Sequence, residues 1–68
     1  MSSYKVVEMI GTSPNSWEEA VSNVVAEAAK SLRHMRVAEV SELDVTVSDA
    51  GQVQDYRAKV KLSIKHET

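Results

Sequence analysis

The sequence predicts an α+β fold with the element order β-α-β-β, in which one amphipathic helix covers a three-stranded antiparallel sheet. Two patterns carry this prediction. Apolar residues recur with a helical period over about residues 17–34, and they alternate with a period of two in the segments that follow. With 68 residues the chain has room for one domain, which we take to span residues 1–68.

The first strand is predicted over residues 4–10, which are largely apolar and tolerant of β structure. Residues 11–15 combine glycine, threonine, serine, proline and asparagine, so they are predicted to form a turn. Ser16 then has the character of a helix N-cap, and Glu19, three residues later, completes a capping box. The helix is therefore predicted to begin at Trp17.

The helix has one apolar stripe, because its apolar residues are spaced by one, three and four positions. This stripe is expected to lie on the sheet. Three bases, Lys30, Arg33 and His34, are expected in the last helical turn, where cations interact favourably with the helix dipole. The residues of the stripe are Ala20, Val21, Val24, Val25, Ala28, Leu32 and Met35.

Two further strands are predicted over about residues 37–47 and 53–65, joined by a hairpin loop at residues 48–52. One register keeps the apolar faces together and also places opposite charges across from each other. Strand three is expected at the centre of the sheet because it is the longest and most regular. A parallel pairing of strands one and two is the alternative. The register pairs Val45 with Tyr56, Leu43 with Ala58, Asp44 with Arg57, and Glu42 with Lys59.

Composition argues against several functional classes. Ten acids and eight bases give a net charge of −2, which does not favour nucleic acid as a partner. No apolar run approaches the roughly 18 residues that a membrane span needs, and no apolar leader opens the chain, so a cytoplasmic location without membrane partners is expected. No serine, histidine and acid combine in a catalytic motif, so the protein is predicted not to be an enzyme.

The small size of the chain predicts that it acts as an oligomer of identical subunits. A domain of 68 residues buries a modest fraction of its surface, so its stability as a monomer is marginal. The chain has no cysteine, and its two histidines, His34 and His66, are far apart in sequence. Disulfides and a structural zinc site are therefore unavailable as supports, which leaves self-association.

Several stretches resemble the dodecin family. Residues 4–13 (YKVVEMIGTS) are similar to the opening strand and turn of that family, and residues 31–35 (SLRHM) are similar to the end of its helix. Residues 49–51 (DAG), leading to Tyr56, are similar to its hairpin. The resemblance covers nearly the whole chain. It implies a hollow homo-dodecamer that stores flavin at two-fold interfaces and has no enzymatic turnover.

The same resemblance implies where flavin would bind, and the chain departs from the family pattern there. The tryptophan that stacks on the flavin ring aligns with Val37, which has no aromatic face. The glutamine that hydrogen-bonds the ring edge aligns with Arg57, which donates hydrogen bonds but does not accept them. Val37 and Arg57 are the expected cofactor-binding positions, and these substitutions favour the flavin-less branch of the family, some of whose members are associated with calcium.

Carboxylates are the candidate metal ligands, since calcium prefers oxygen donors. Symmetry would turn one carboxylate at a three-fold axis into three, and Glu42 and Asp44 are the acids that we assign to this role. Cross-strand salt pairing is the plainer interpretation of each acid. Trp17 is expected to pack on a strand or on a neighbouring subunit. The full set of acids considered is Glu8, Glu39, Glu42, Asp44, Asp49 and Asp55.

Three functions therefore follow from the sequence. The first is a non-enzymatic homo-dodecameric shell that sequesters a small ligand, flavin by family resemblance. The second is a shell that binds calcium or another cation through carboxylates gathered at symmetry axes. The third is a structural oligomer without a ligand.

Overall fold

The backbone follows the predicted β-α-β-β order. A computed structural model describes residues 2–67, and the side chains of residues 3–66. The elements are β1 (Ser2–Ser13), α1 (Trp17–Ala29), β2 (Met35–Val47) and β3 (Val53–Glu67). The sheet has the order β1-β3-β2, and both pairings are antiparallel. The prediction that the third strand lies at the centre is confirmed, and the parallel alternative is wrong.

The predicted register of the β2–β3 hairpin is also confirmed. All four predicted pairs are present: Val45 with Tyr56, Leu43 with Ala58, Asp44 with Arg57, and Glu42 with Lys59. Irregularities occur where β2 has an extra residue, between Val40 and Glu42 and again between Met35 and Val37. Such bulges shift later residues between the two faces without breaking the pairing.

The first strand is longer than predicted, because residues 11–13 continue β1 instead of forming a turn. Gly11 lies within β1, where its role is to leave space for the helix and not to form a turn. A side chain here would place its Cβ 2.7 Å from the Cβ of Val24 and closer still to the carbonyl oxygen of Ala20. The glycine is needed so that α1 can cross directly over β1.

The helix is shorter than predicted: it ends at Ala29 and not near residue 34. The prediction that Lys30, Arg33 and His34 occupy its last turn is wrong, since that turn contains no base. His34 instead has a φ of 64°, and its carbonyl accepts a 3.0 Å hydrogen bond from the amide of Lys65. This contact with β3 draws the chain into the sheet, so β2 begins earlier than the sequence indicated.

Half of the predicted capping box is present at the start of α1. The Ser16 side chain accepts a 3.0 Å hydrogen bond from the amide of Glu19, as predicted. The Glu19 carboxylate does not return to Ser16, however, and accepts hydrogen bonds from Ser13 Oγ at 2.6 Å and Asn15 Nδ2 at 2.9 Å. Ser13 is buried, so its hydroxyl requires a partner. Glu19 therefore joins the start of the helix to the end of β1.

The core lies between α1 and the β1–β3 part of the sheet, and the middle of β2 extends beyond the helix. Val40 and Leu43, on the helix side of β2, are therefore 44% and 51% exposed, whereas Met35 and Val45 are half-buried. The buried core consists of Ala20, Val24, Ala28, Ala58, Val60 and Leu62.

No helix among residues 2–67 is long and apolar enough to cross a bilayer.

The opposite side of the sheet, which we call the open face, is not covered by any helix or strand of residues 2–67. Its β3 residues are Asp55, Arg57, Lys59, Lys61, Ser63 and Lys65, and their paired neighbours on β1 and β2 share the face. It is not uniformly charged, since Tyr4, Val6, Ile10 and Val37 lie on it and are each more than half exposed.

Candidate functional site

All four residues predicted for cofactor or metal binding lie on the open face, but the fold separates them into two regions. Val37 pairs with Ser63, whereas Arg57 pairs with Asp44. Ser63 and Arg57 are six positions apart on β3, which corresponds to roughly 20 Å along the strand. One subunit therefore does not present Val37 and Arg57 to the same ring system, and a flavin that touched both positions would need two subunits.

Arg57 and Asp44 form a two-pronged ion pair across β2 and β3. Arg57 Nε donates to Asp44 Oδ1 at 2.6 Å, and Arg57 Nη2 donates to Asp44 Oδ2 at 2.8 Å. These hydrogen bonds hold the pKa of Asp44 below its usual range and raise the pKa of Arg57. The pair uses two of the five N–H donors of the guanidinium and one acceptor site on each carboxylate oxygen, so a ligand for either group has to compete with its partner.

Trp17 supports the same region from the helix. Its indole Nε1 donates a 3.0 Å hydrogen bond to the backbone carbonyl of Asp44. Its ring meets Tyr56 edge to face, with centroids 5.1 Å apart and planes at 80°. Trp17 therefore packs on a strand of its own subunit, which is one of the two placements that the sequence predicts. The bond to Asp44 is a contact between distant residues that local patterns do not indicate.

Glu42 lies beside a looser arrangement of charges. Lys59 Nζ is 3.9 Å from Glu42 Oε1 and 3.8 Å from Glu8 Oε1, so one ammonium group lies between two carboxylates from the outer strands. These distances are too long for strong hydrogen bonds. The Glu42 side chain is 67% exposed, which leaves its oxygens accessible to water or ions.

The remaining acids are dispersed. Glu39 pairs with Lys61 in the sheet register, Asp55 pairs with Thr46, and Asp49 lies in the hairpin loop. Over the part of the chain that the structure describes, no three His, Cys, Asp or Glu side chains come together as a metal cluster. The sequence does not predict that Glu8 and Glu42 lie near the same lysine. The two acids are on β1 and β2, which are not adjacent, and they come close only because both strands pair with β3.

Comparison with known proteins places these features in a family. The family model described as Dodecin matches residues 3–67. Calcium dodecin of Mycobacterium tuberculosis is 48% identical over 65 residues, which cover 96% of this chain and 90% of that protein. Dodecin of Thermus thermophilus is 38% identical over 64 residues, which cover 94% and 91% of the two chains.

Solved structures agree with the sequence comparison. Dodecin from Streptomyces coelicolor superimposes with a TM-score of 0.90 at 34% identity, covering 98% of this chain and 94% of that one. Calcium dodecin from Mycobacterium tuberculosis, described as a calcium-chelating antigen with a novel calcium-binding site, superimposes with a TM-score of 0.83 at 45% identity and covers 96% and 91%. The chain therefore belongs to the dodecin family, whose members are non-enzymatic proteins that form oligomers and bind small ligands.

Proposed function

We propose that this protein is the subunit of a hollow homo-dodecameric shell that binds calcium or a similar divalent cation on the open face of its sheets. The observation that carries the proposal is the pair of exposed carboxylates, Glu8 and Glu42, with the Lys59 ammonium held loosely between them. A cation already lies at this position in the form of a lysine side chain. The similarity to calcium dodecin supports calcium as the ion.

A calcium ion at this place would displace the ammonium group of Lys59 and gain two carboxylate ligands. Calcium takes about six to eight oxygens, so further ligands must come from water or from neighbouring subunits. A symmetric shell supplies such neighbours, since every exposed carboxylate recurs at each symmetry-related position. The open face is available for those contacts because none of the helices and strands described for this chain covers it.

Glu42 and Asp44 have different parts in this proposal. Glu42 is exposed and its nearest base is 3.9 Å away, so it is the readier calcium ligand. Asp44 is engaged by two short hydrogen bonds from Arg57. Calcium would therefore compete with the Arg57 guanidinium for both carboxylate oxygens of Asp44. We therefore assign Glu42 as the primary ligand and Asp44 as a ligand only after Arg57 has moved away.

Calcium binding is best measured by isothermal titration and by thermal unfolding of the assembled protein, with magnesium and sodium at equal ionic strength as comparisons. At a hundredfold excess over Kd, calcium should stabilise each site by about 2.7 kcal/mol. Glu42→Gln should abolish most of this gain because it removes a negative ligand. Glu18→Gln removes an exposed acid from the helix instead, and it should keep the wild-type response. Equal responses of the two variants, or no response of the wild type, would contradict the proposal.

Flavin storage is the competing function within the family. The usual flavin contacts are replaced here by Val37, which lacks an aromatic ring, and by Arg57, whose guanidinium is bound to Asp44. We therefore expect riboflavin fluorescence to be unchanged by micromolar wild-type protein. The double substitution Val37→Trp and Arg57→Gln should restore quenching. Strong quenching by the wild type would favour flavin over calcium, and a double variant that assembles without quenching would show that these positions are misassigned.

A further inference from the structure

Lys59 lies between the two acids of the proposed calcium site, on the central strand of the sheet. It pairs with Glu42 on β2 and with Ile10 on β1. Because Ile10 carries no charge, the second acid is Glu8, which reaches Lys59 diagonally from two positions along β1. The ammonium group of one lysine therefore links acids from both outer strands.

Lys61, the next lysine on the same face of β3, is placed differently. It lies directly opposite Glu8 on β1 and opposite Glu39 on β2. In the described part of the chain Lys61 nevertheless forms no ion pair, and it is exposed to solvent. Lys59 is more buried, with 36% of its side chain exposed. Two lysines of equal charge thus differ in whether they occupy the gap between acids.

The distances around Lys59 indicate an ion pair that a metal ion can replace. Lys59 Nζ is 3.8 Å from Glu8 Oε1 and 3.9 Å from Glu42 Oε1, which is longer than strong charge-assisted hydrogen bonds. Both carboxylates are also open to water, since the side chains of Glu8 and Glu42 are 45% and 67% exposed. Exposed ion pairs of this kind contribute little stability, so they oppose an incoming cation only weakly.

We propose that Lys59 is a built-in competitor ion, which determines the affinity and the selectivity of the calcium site. This inference rests on the calcium-binding function proposed above. The ammonium group is tethered beside both carboxylates, so it competes at a high effective concentration. A sodium ion in its place would bring the same single charge, whereas calcium brings two charges and takes more oxygen ligands. Lys59 therefore excludes monovalent ions and sets the calcium concentration at which the site fills.

The substitution Lys59→Met tests this role, because it removes the ammonium group and adds no oxygen that could bind calcium. Isothermal titration of the assembled protein with calcium chloride should give a Kd about tenfold lower for this variant than for the wild type, since two exposed ion pairs no longer compete. Lys59→Gln carries the same prediction and replaces Lys59→Met if that variant does not assemble. Native mass spectrometry checks the assembly of each variant.

Selectivity is measured by repeating the titrations with sodium chloride in place of choline chloride at equal ionic strength. Sodium should raise the calcium Kd of Lys59→Met by about threefold or more, because it can enter the vacated position. The wild type should change by less than about twofold, since the tethered ammonium group already excludes sodium. A wild type that is as sensitive to sodium as Lys59→Met would overturn the assignment of selectivity to Lys59.

Lys61→Met is the matched control, because it removes the same charge from the same strand and face without opening the gap between the acids. Its calcium Kd should fall by no more than about threefold, through the long-range field alone. Lys59→Arg keeps a cation between the acids, so its Kd should equal or exceed that of the wild type. Equal gains in affinity for Lys59→Met and Lys61→Met would overturn the proposal, since net charge would then explain both.

The titrations distinguish failure of this inference from failure of the calcium-binding function. If the wild type binds calcium and Lys59→Met binds it no more tightly, the role of Lys59 is wrong and the calcium site stands. If neither protein binds calcium, both proposals are wrong. If Lys59→Met alone binds calcium, the function proposed for the wild type is wrong, and Lys59 is supported as the ion that fills the site.

Discussion

At the scale of single residues, the close contact between α1 and β1 depends on a glycine, which has no side chain. Gly11 lies under the helix, where any Cβ would meet the Ala20 carbonyl and the Val24 side chain. Backbone atoms cannot move aside as the end of a flexible side chain can, so the helix itself would have to shift. Gly51 is different, because it has open space around it but a φ of +79°.

We predict that Gly11→Ala destabilises the protein by about 3 kcal/mol, at the upper end of the range for overpacking. Gly51→Ala should cost less, about 1 kcal/mol, since it introduces only the backbone strain of a left-handed residue. Urea unfolding of both variants beside the wild type measures the difference. If Gly51→Ala proves the more harmful change, close helix packing is not the reason for glycine at residue 11.

At the scale of elements, two polar contacts tie neighbouring parts of the fold together. Glu19 joins α1 to the end of β1 through Ser13, and Asp44 joins β2 to β3 through Arg57. In both cases hydrogen bonds to the carboxylate lower its pKa, from Ser13 and Asn15 in the first and from Arg57 in the second. A carboxyl group whose folded pKa is depressed stabilises the fold when it is ionised and ceases to do so when it is protonated.

The sign of this effect predicts an acid-sensitive fold. The contribution of Asp44 and Glu19 is fully present at neutral pH, and it should decline as the pH falls below about 4 through the two folded-state pKa values. Asp44→Asn lacks part of that contribution, so its stability should depend less steeply on pH in this range. Asp49→Asn, in the hairpin loop, is the control and should follow the wild type. Urea midpoints between pH 3 and pH 7 measure these slopes, and parallel curves for all three proteins would contradict the prediction.

At the scale of the whole molecule, the chain is more elongated than a compact globular domain of the same length. Its radius of gyration is 14.0 Å and its extents are 53 × 19 × 15 Å. A compact domain of this length would have a radius of gyration of about 11 Å. Its accessible surface is 4901 Å², against about 4,250 Å² for a typical monomer of this mass. Excess surface with exposed apolar residues on both sides of the sheet favours burial against other subunits.

Assembly should therefore be sensitive to charge on the exposed middle of β2. Leu43 is 51% exposed on the helix side of β2, and we predict that Leu43→Glu reduces a dodecamer to smaller species with a lower melting temperature. Ala26→Glu makes the same change of charge on an exposed helix position, so it should leave the assembly intact. Native mass spectrometry reads both outcomes. A monomeric wild type, or a Leu43→Glu variant that stays dodecameric, would contradict the inference that the exposed apolar surface of β2 is buried between subunits.

The sequence alone determined the order of the elements and the register of the hairpin, whereas the antiparallel pairing of β1 with β3 was favoured by the sequence and decided by the structure. These features follow from local periodicity and from pairing rules, and the agreement of the apolar and charged pairs left one register. Asp44 opposite Arg57 and Glu42 opposite Lys59 were predictable for that reason. Membership of the dodecin family was also visible in the sequence, since the resemblance extends over nearly the whole chain.

Only the tertiary structure decided where the helix ends and which polar groups meet. His34 leaves the helical pattern because the amide of Lys65, 31 positions along the chain, bonds its carbonyl. Trp17 bonds the Asp44 carbonyl and Lys59 lies between Glu8 and Glu42 for the same kind of reason. Each is a contact between residues distant in sequence, and no local period encodes such contacts. The roughly 20 Å between Val37 and Arg57 likewise follows from strand pairing in space.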